Sequence, residues 1–337
     1  MRRLALILVA LAAIVAIATP ALAEYNFYGS VRVKTFYLDE DKNAADDQDF
    51  TLELQPNTHF GAKVQEGKLG GKIELGLKTQ ATGVYTRLAF GTYKFDAGTL
   101  LVGQTYSPYF SNASQVYKDD RGFSGFGNLW DARNPQIRFD LNSGLYFVAG
   151  KTISTANNVT GGTANATTDT LLPKLTVGFK NKAGKFAYNL GATYQSFDTG
   201  ATEESVTSYL GYADIGFTQD QFSLRTKLHY GQNLSDLGIT DRNSKYNVAT
   251  GDDTTSYGGW VQAGFAGATV GVGYVVDDID GAPETDDQMA AFINYKIKVA
   301  KGFTITPEIC YMDYMDDENG VDQGDHLAIG AQWKMDF

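Results

Sequence analysis

Residues 327–337, at the end of the chain, read LAIGAQWKMDF and decide the fold class. Every second residue from Leu327 to Phe337 is apolar, and the residues between them are small or polar. Successive side chains of a β-strand point to opposite faces, so this period of two predicts a strand with one apolar and one polar face. We expect that strand to end at the aromatic Phe337.

The same alternation recurs in one segment after another toward the N-terminus, as in residues 25–38, 50–64 and 68–78. These segments run for about 10 to 14 residues, whereas strands of soluble proteins average about 5–6 residues. A strand tilted across a bilayer needs about 9–11 residues. A soluble β-sandwich also alternates, with its apolar face inward, but the segment length favours strands that cross a membrane.

Tight turns and long polar segments alternate between the predicted strands. Short turns fall at 66–67, 183–184 and 266–267, for example, and longer loops fall at 39–48 and 105–134. Short turns at one end and long loops at the other are typical of outer-membrane barrels. Counting the segments predicts an all-β, transmembrane antiparallel β-barrel of about sixteen strands, closed by its first and last strands around a water-filled lumen.

The first 23 residues have the order of charged and apolar residues that is typical of a secretory signal peptide. Arg2 and Arg3 precede an unbroken apolar run over 4–18, and Ala-Leu-Ala at 21–23 forms a small-x-small cleavage site. A retained membrane helix is the alternative, but the run is shorter than the roughly 20 residues that span a bilayer. We therefore expect cleavage after Ala23, a mature domain over 24–337 and export to the bacterial outer membrane.

The composition limits the other classes of function. The chain has 39 acidic and 28 basic residues, for a net charge of −11, which disfavours binding to nucleic acid. A single cysteine, Cys310, excludes an intrachain disulfide, and the three histidines lie far apart in sequence with no G-x-S-x-G motif beside them. We expect no enzymatic activity and no cofactor, with a barrel hydrolase or an adhesin as distant alternatives.

Three of the expected outer segments are acidic, at 39–49, 277–287 and 316–325. Acidic residues are usual at solvated loop tips, and they could also hold divalent cations that bridge to the phosphates of lipopolysaccharide. None of the segments has the ligand order of an EF-hand. We expect contacts with outer-membrane lipids and lipopolysaccharide, and no specific metal.

Two stretches in the first half of the chain stand before and after the longest predicted loop: residues 86–108 read TRLAFGTYKFDAGTLLVGQTYSP, and residues 133–139 read RNPQIRF. These stretches resemble the general bacterial porins, which are trimeric diffusion channels of Gram-negative outer membranes. They are similar to the family's segments before and after the third loop. Gln104 stands where many members carry an arginine, which leaves one fewer positive charge on the wall. The resemblance implies a homotrimer that passes small hydrophilic solutes and ions by passive diffusion.

In that family the third loop folds into the lumen and sets the constriction, and here the corresponding loop covers about 105–134. Its bend reads GFSGFGN at 122–128. The loop is rich in aromatic residues, which we expect to pack against the inner wall; the alternative is a stacking path for sugars in a solute-selective channel. These aromatic residues are Tyr106, Tyr109, Phe110, Tyr117, Phe123, Phe126 and Trp130.

The alternation also assigns basic side chains to the lumen, because a charge on the lipid face near the middle of the membrane costs roughly 2–4 kcal/mol. They are Arg32, Lys34, Lys72, Arg87, Arg138, Arg225, Lys227 and Lys334. Basic residues on the wall that face acidic residues on the loop would create a transverse field, although lumen charges can also merely solvate a wide wall. The candidate constriction residues are Arg32, Lys34, Arg87, Asp119, Asp120, Arg133 and Arg138.

Overall fold

The computed structural model describes residues 24–42, 45–77, 83–119, 121–153, 168–199, 204–239 and 244–337. The predicted signal peptide and one candidate constriction residue, Asp120, lie outside these ranges. No helix within them is long and apolar enough to cross a membrane.

Nineteen strands occur in the ranges above. They are β1 (Glu24–Lys42), β2 (Ala45–Leu54), β3 (His59–Glu66), β4 (Leu69–Leu77), β5 (Val84–Lys94), β6 (Gly98–Tyr106), β7 (Arg133–Leu141), β8 (Leu145–Gly150), β9 (Thr168–Asp169), β10 (Lys174–Ala183), β11 (Phe186–Thr199), β12 (Glu204–Gln219), β13 (Phe222–Gln232), β14 (Thr254–Phe265), β15 (Ala268–Ile279), β16 (Asp286–Tyr295), β17 (Ile297–Ala300), β18 (Phe303–Asp313) and β19 (Asp325–Asp336).

The strands form one antiparallel sheet in which neighbours in sequence are neighbours in space. Three wall strands are interrupted, because β2 and β3 both pair with β1, β9 and β10 both pair with β11, and β16 and β17 both pair with β18. Counting each interrupted pair once gives 19 − 3 = 16 wall strands. The predicted sixteen-strand barrel is confirmed.

The barrel closes where the last strand meets the first. β19 pairs with β1 from Ser30↔Asp336 to Asp41↔Asp325. Beyond the strand end, the backbone N–H of Gly29 donates to the carbonyl of Phe337 over 2.8 Å, and the N–H of Phe337 donates back over 3.1 Å. Closure leaves no unpaired strand edge in the hydrocarbon, where an unpaired backbone group is costly.

The two faces of the wall follow the predicted alternation. On β19, Trp333 and Met335 are exposed outward, while Ala328 and Gln332 are buried inward. Exposed apolar side chains continue around the barrel, as expected of a surface bathed in lipid. Five aromatic residues near strand ends are exposed on this face: Tyr25, Phe27, Phe186, Phe222 and Trp333.

Two local features differ from the sequence expectations. In the acidic segment 39–48, the described residues 39–42 and 45–48 are strand rather than loop, because β1 and β2 stay paired as far as Lys42↔Ala45. Backbone pairing uses main-chain N–H and C=O groups, so acidic side chains do not prevent it. A β-bulge lies opposite the step from Glu74 to Leu75 on β4, and it leaves Arg87 as the extra residue on β5.

Candidate functional site

The loop between β6 and β7, residues 107–132 and here called the third loop, is mostly buried. All ten residues from 122 to 131 are buried, which is unusual for a loop, since loops normally run over the surface. Its Phe123 and Phe126 belong to one apolar cluster with Phe292 and Cys310 of the wall. The third loop therefore packs on wall strands that are far from it in sequence.

Backbone contacts bring the bend of the third loop against β14 and β15. A Cβ atom on Gly127 would lie 2.1 Å from the carbonyl oxygen of Gly259, and a Cβ on Gly273 would lie 2.1 Å from that of Phe126. Gly127 also has φ +101, which side-chain-bearing residues rarely adopt. The glycines of the GFSGFGN bend and of the wall are what permits this approach.

A buried carboxylate on β18 holds the middle of the third loop. Glu308 is 2 % exposed and accepts hydrogen bonds from the backbone N–H of Val116 over 2.7 Å and of Tyr117 over 2.8 Å. Asn294 Nδ2 of β16 donates to the same carboxylate over 2.8 Å. These bonds satisfy a group that is costly to bury alone, so they fix the loop to the wall.

Two basic residues of β13 hold the beginning of the third loop. Lys227 is 0 % exposed, and its Nζ donates to the carbonyl of Tyr109 and, over 3.3 Å, to Ser111 Oγ. Arg225 donates to the carbonyl of Asn112 over 3.2 Å. Both side chains point inward as predicted, and Lys227 serves as a loop anchor rather than as an exposed lumen charge.

At the root of the third loop, two predicted arginines converge on one phenol. Arg87 Nη2 donates to the hydroxyl oxygen of Tyr106 over 3.3 Å, and Arg133 Nη2 donates to it over 2.7 Å. Arg87 Nε also donates to Glu74 Oε1 over 2.7 Å. The bulge on β5 turns Arg87 inward toward these partners, so the wall and the loop root share one polar network.

Further basic groups surround the same carboxylate of Glu74. Lys72 Nζ lies 3.2 Å from Glu74 Oε2, and His59 Nε2 lies 3.8 Å from it. Tyr28 donates its hydroxyl to that oxygen over 2.9 Å. The carboxylate of Glu74 thus contacts the basic side chains of Lys72 and Arg87 and lies near the imidazole of His59.

The other candidate residues occupy separate places. Arg138 pairs with Asp140 over 2.7 Å, and Lys34 lies 3.6 Å from Glu53. Arg32 and Asp119 line the same cavity of about 490 Å³, together with Lys334. Arg87 and Arg133 therefore meet at Tyr106, Arg32 and Asp119 line this cavity, and Arg138 and Lys34 belong to neither group. Asp120 lies outside the described residues.

The aromatic residues of the third loop are mainly packing residues. Tyr109, Phe123, Phe126 and Trp130 are each at most 6 % exposed. Burial, reinforced by the neighbouring Asp131, raises the pKa of the Tyr109 hydroxyl well above its ordinary value, so Tyr109 stays a neutral donor. These four rings offer no accessible face for sugar stacking.

Sequence reasoning missed Glu308 and Lys174, whose Nζ lies 3.1 Å from Asp131 Oδ2 of the loop, and it assigned Tyr106 to packing alone. Glu308 carries a detectable signal, since it is an acidic residue in the middle of a predicted membrane strand. Such a charge in a membrane strand requires inward placement and a partner. Nothing in the sequence identifies the partners as the N–H groups of Val116 and Tyr117, which lie 192 and 191 residues away.

Comparison with known proteins agrees with this architecture. Residues 10–316 match the family model described as Gram-negative porin, whereas no curated protein matches the chain. The outer membrane channel DcaP of Acinetobacter baumannii has 20% sequence identity and a TM-score of 0.78, with 95% of this chain and 99% of that chain covered.

Two other solved porins share the fold at lower identity. The anion-selective porin from Comamonas acidovorans has 15% identity and a TM-score of 0.60, with 94% of this chain and 100% of that chain covered. OmpF of Salmonella typhi, in complex with daunomycin, has the same identity of 15% and the same TM-score of 0.60, with 92% and 97% covered. With a family match over most of its length, the chain belongs to the Gram-negative porins and is an outer-membrane channel for passive diffusion of small solutes, not an enzyme.

Proposed function

We propose that the third loop lies across the lumen and, with the facing wall of β4 to β7, forms the constriction of this channel. The observation that carries the proposal is that the loop is hydrogen-bonded to side chains of wall strands far from the strands at its two ends. Glu308 of β18 and Lys227 of β13 hold the loop, whereas its ends continue from β6 at Tyr106 and into β7 at Arg133. A water-filled barrel of this size is wide unless something narrows it.

We further infer that the constriction favours anions. Around Tyr106 and Glu74 the described side chains include the basic groups of Arg87, Arg133 and Lys72. Partly buried charges are weakly screened and therefore act on ions that pass close by. The anion-selective porin of Comamonas acidovorans shares the fold.

The remaining expectations concern processing and assembly. We propose that residues 1–23 are a cleaved signal peptide, that the mature domain is 24–337, and that the channel is a homotrimer in contact with outer-membrane lipids and lipopolysaccharide. The continuous outward apolar face, with Phe27 at 71 % exposure and Met335 at 54 %, supports contact with lipid or with a second subunit.

Liposome swelling with sugars of graded size tests the diffusion channel. A size cutoff without preference among sugars of equal size is the expected result. A strong preference at equal size would favour the solute-selective alternative instead, and the partly exposed Tyr106, Phe110 and Tyr117 would be its candidate residues. The reversal potential in a salt gradient tests the preference for anions; a cation preference would contradict it.

A further inference from the structure

The inward side chains of β10 to β12 are buried, whereas side chains that line an open lumen are exposed to water. Lys174, Gln195, Val206 and Leu210 point inward and are each at most 3 % exposed. On β4, by contrast, the inward Lys72 retains partial exposure. Something therefore fills the barrel next to β10 to β12.

The filling element is the β13–β14 loop, whose described parts are residues 233–239 and 244–253. Leu234, Leu237 and Ile239 are each at most 1 % exposed. They form one apolar cluster with wall residues of β12 and residues of the third loop. The cluster consists of Tyr109, Leu129, Leu210, Tyr212, Leu234, Leu237 and Ile239.

A buried lysine ties this loop to the third loop and to the wall. Lys174 Nζ of β10 donates to the carbonyl of Leu237 over 3.0 Å, to Asp131 Oδ2 over 3.1 Å and to the hydroxyl of Tyr109 over 3.1 Å. Asp131 supplies the opposite charge, and its side chain is 0 % exposed. Three acceptors satisfy all three N–H groups of the ammonium, which makes the geometry specific.

An amide on β11 makes a second connection. Gln195 Nε2 donates to the carbonyls of Asp236 and Ile153, each over 2.8 Å, and Gln195 Oε1 accepts from the N–H of Ile153 over 3.1 Å. The segment after β8 is thereby joined to the β13–β14 loop. Ile153 also lies against Gly238, where a Cβ atom would be 2.7 Å from its Cγ1.

Between the packed β13–β14 loop and the short turns, the same half of the barrel contains an unfilled cavity. A cavity of about 560 Å³ lies there, lined by Asn189, Asp214 and Arg225 of the wall and by Phe110 and Ser111 of the third loop. Phe110 and Ser111 directly follow Tyr109, which belongs to the apolar cluster, so the cavity borders the packed loops.

We propose that the β13–β14 loop is a second constriction element, which the side chains of Lys174 and Gln195 hold inside the barrel, and that it confines solutes to the passage along β4 to β7. The inference rests on the proposed position of the third loop, because the two loops share one apolar cluster. Lys174 and Gln195 act here as positioning residues, since they hold loop backbone rather than solute.

The test replaces the two buried apolar anchors of the loop in the full-length channel. The variant Leu237→Ser with Ile239→Ser should detach the loop and raise single-channel conductance by roughly 1.5-fold or more, because conductance follows the open cross-section. It should also admit larger sugars in liposome swelling. Leu171→Ser is the matched control, since Leu171 is 94 % exposed, and it should leave both measurements unchanged.

A disulfide separates detachment of the loop from general damage to the barrel. A Cβ on Gly238 would lie 3.5 Å from the Cβ of Ile153, within the range that a disulfide spans. Ile153→Cys with Gly238→Cys, added to the serine variant and oxidised, should restore the original conductance, and reduction should raise it again. Gly238 has φ +89, so the reduced form serves as the control for backbone strain.

Failure of the second constriction and failure of the constriction by the third loop give different results. Conductance that stays at the original value in the serine variant, or that does not fall on oxidation of the cysteine pair, overturns the second constriction. An original channel with no size cutoff in liposome swelling overturns the constriction by the third loop instead. Lys174→Met should raise the single-channel conductance by less than the serine variant does, and Lys174→Arg should retain the original size cutoff.

Discussion

Arg87 Nε on β5 donates a hydrogen bond of 2.7 Å to Glu74 Oε1 on β4, and both side chains are buried in the wall. Lys72 Nζ lies 3.2 Å from the other carboxylate oxygen of Glu74, and Arg133 Nη2 donates to the hydroxyl of Tyr106 over 2.7 Å. This part of the wall therefore carries several basic side chains, although the whole chain is acidic.

Replacement of Arg87 tests whether this wall sets ion selectivity. Arg87→Ala should lower the ratio of anion to cation permeability severalfold, because it removes one positive charge and leaves Glu74 less compensated. Arg87→Lys keeps the charge and should keep most of the selectivity. Reversal potentials in a salt gradient measure the ratio; an unchanged value in Arg87→Ala would exclude a role for this wall in selectivity.

Glu308 offers a test of how the third loop is anchored. Glu308→Ala leaves the N–H groups of Val116 and Tyr117 without their acceptor, which costs about 1–3 kcal/mol of anchoring. We expect excess noise in the open-channel current. Glu284→Ala is the control, because Glu284 is exposed and lies in the loop between β15 and β16. The open-channel current of this variant should show no more noise than that of the original channel.

The C-terminal residue should matter for assembly. Deletion of Phe337 removes the two backbone hydrogen bonds that it exchanges with Gly29 and an aromatic side chain that is 75 % exposed to the membrane. We expect a lower amount of inserted protein, with normal conductance in the channels that do form. Quantifying the protein in purified outer membranes measures the first effect, and normal levels of the deletion variant would contradict the prediction.

Asp236 gives the β13–β14 loop a dependence on pH. Burial raises the pKa of its carboxyl from the ordinary 3.8 to about 7, with opposing effects from Lys245 and the Tyr246 N–H. The Asp236 carboxyl ionises at a lower pH in a displaced loop than in the docked loop. Its deprotonation between about pH 4 and 7 therefore favours displacement of the loop. Current noise should increase as the pH rises from 5 to 8. Asp236→Asn should remove this increase, and a persistent increase would implicate another group.

The wall could be predicted from sequence, and the interior could not. Alternation fixes which face each side chain takes, since a one-residue slip would place a charge such as Lys334 in lipid. It does not specify what covers an inward residue. Val206 and Leu210 interrupt the polar inward pattern of β12, and that interruption is a usable sign that a loop folds over them.

The candidate site was predictable in part for the same reason. Arg87 and Arg133 do meet, but through Tyr106, a residue assigned to packing. Lys227 faces inward as predicted and is nevertheless fully buried, because the landing position of a long loop depends on contacts distant in sequence. The β-bulge at Arg87 likewise has no clear signature in an alternating strand.

Whether the third loop narrows the lumen is tested most directly by the single-channel conductance of Gly127→Ala, compared with that of Gly281→Ala. Both glycines have positive φ, but a Cβ on Gly127 meets the carbonyl oxygen of Gly259, whereas a Cβ on Gly281 has nothing within 4 Å. If the third loop narrows the lumen, Gly127→Ala should push its bend from the wall and change the conductance, while Gly281→Ala should not. Equal conductance in both variants and the original channel would contradict a constriction formed by the third loop.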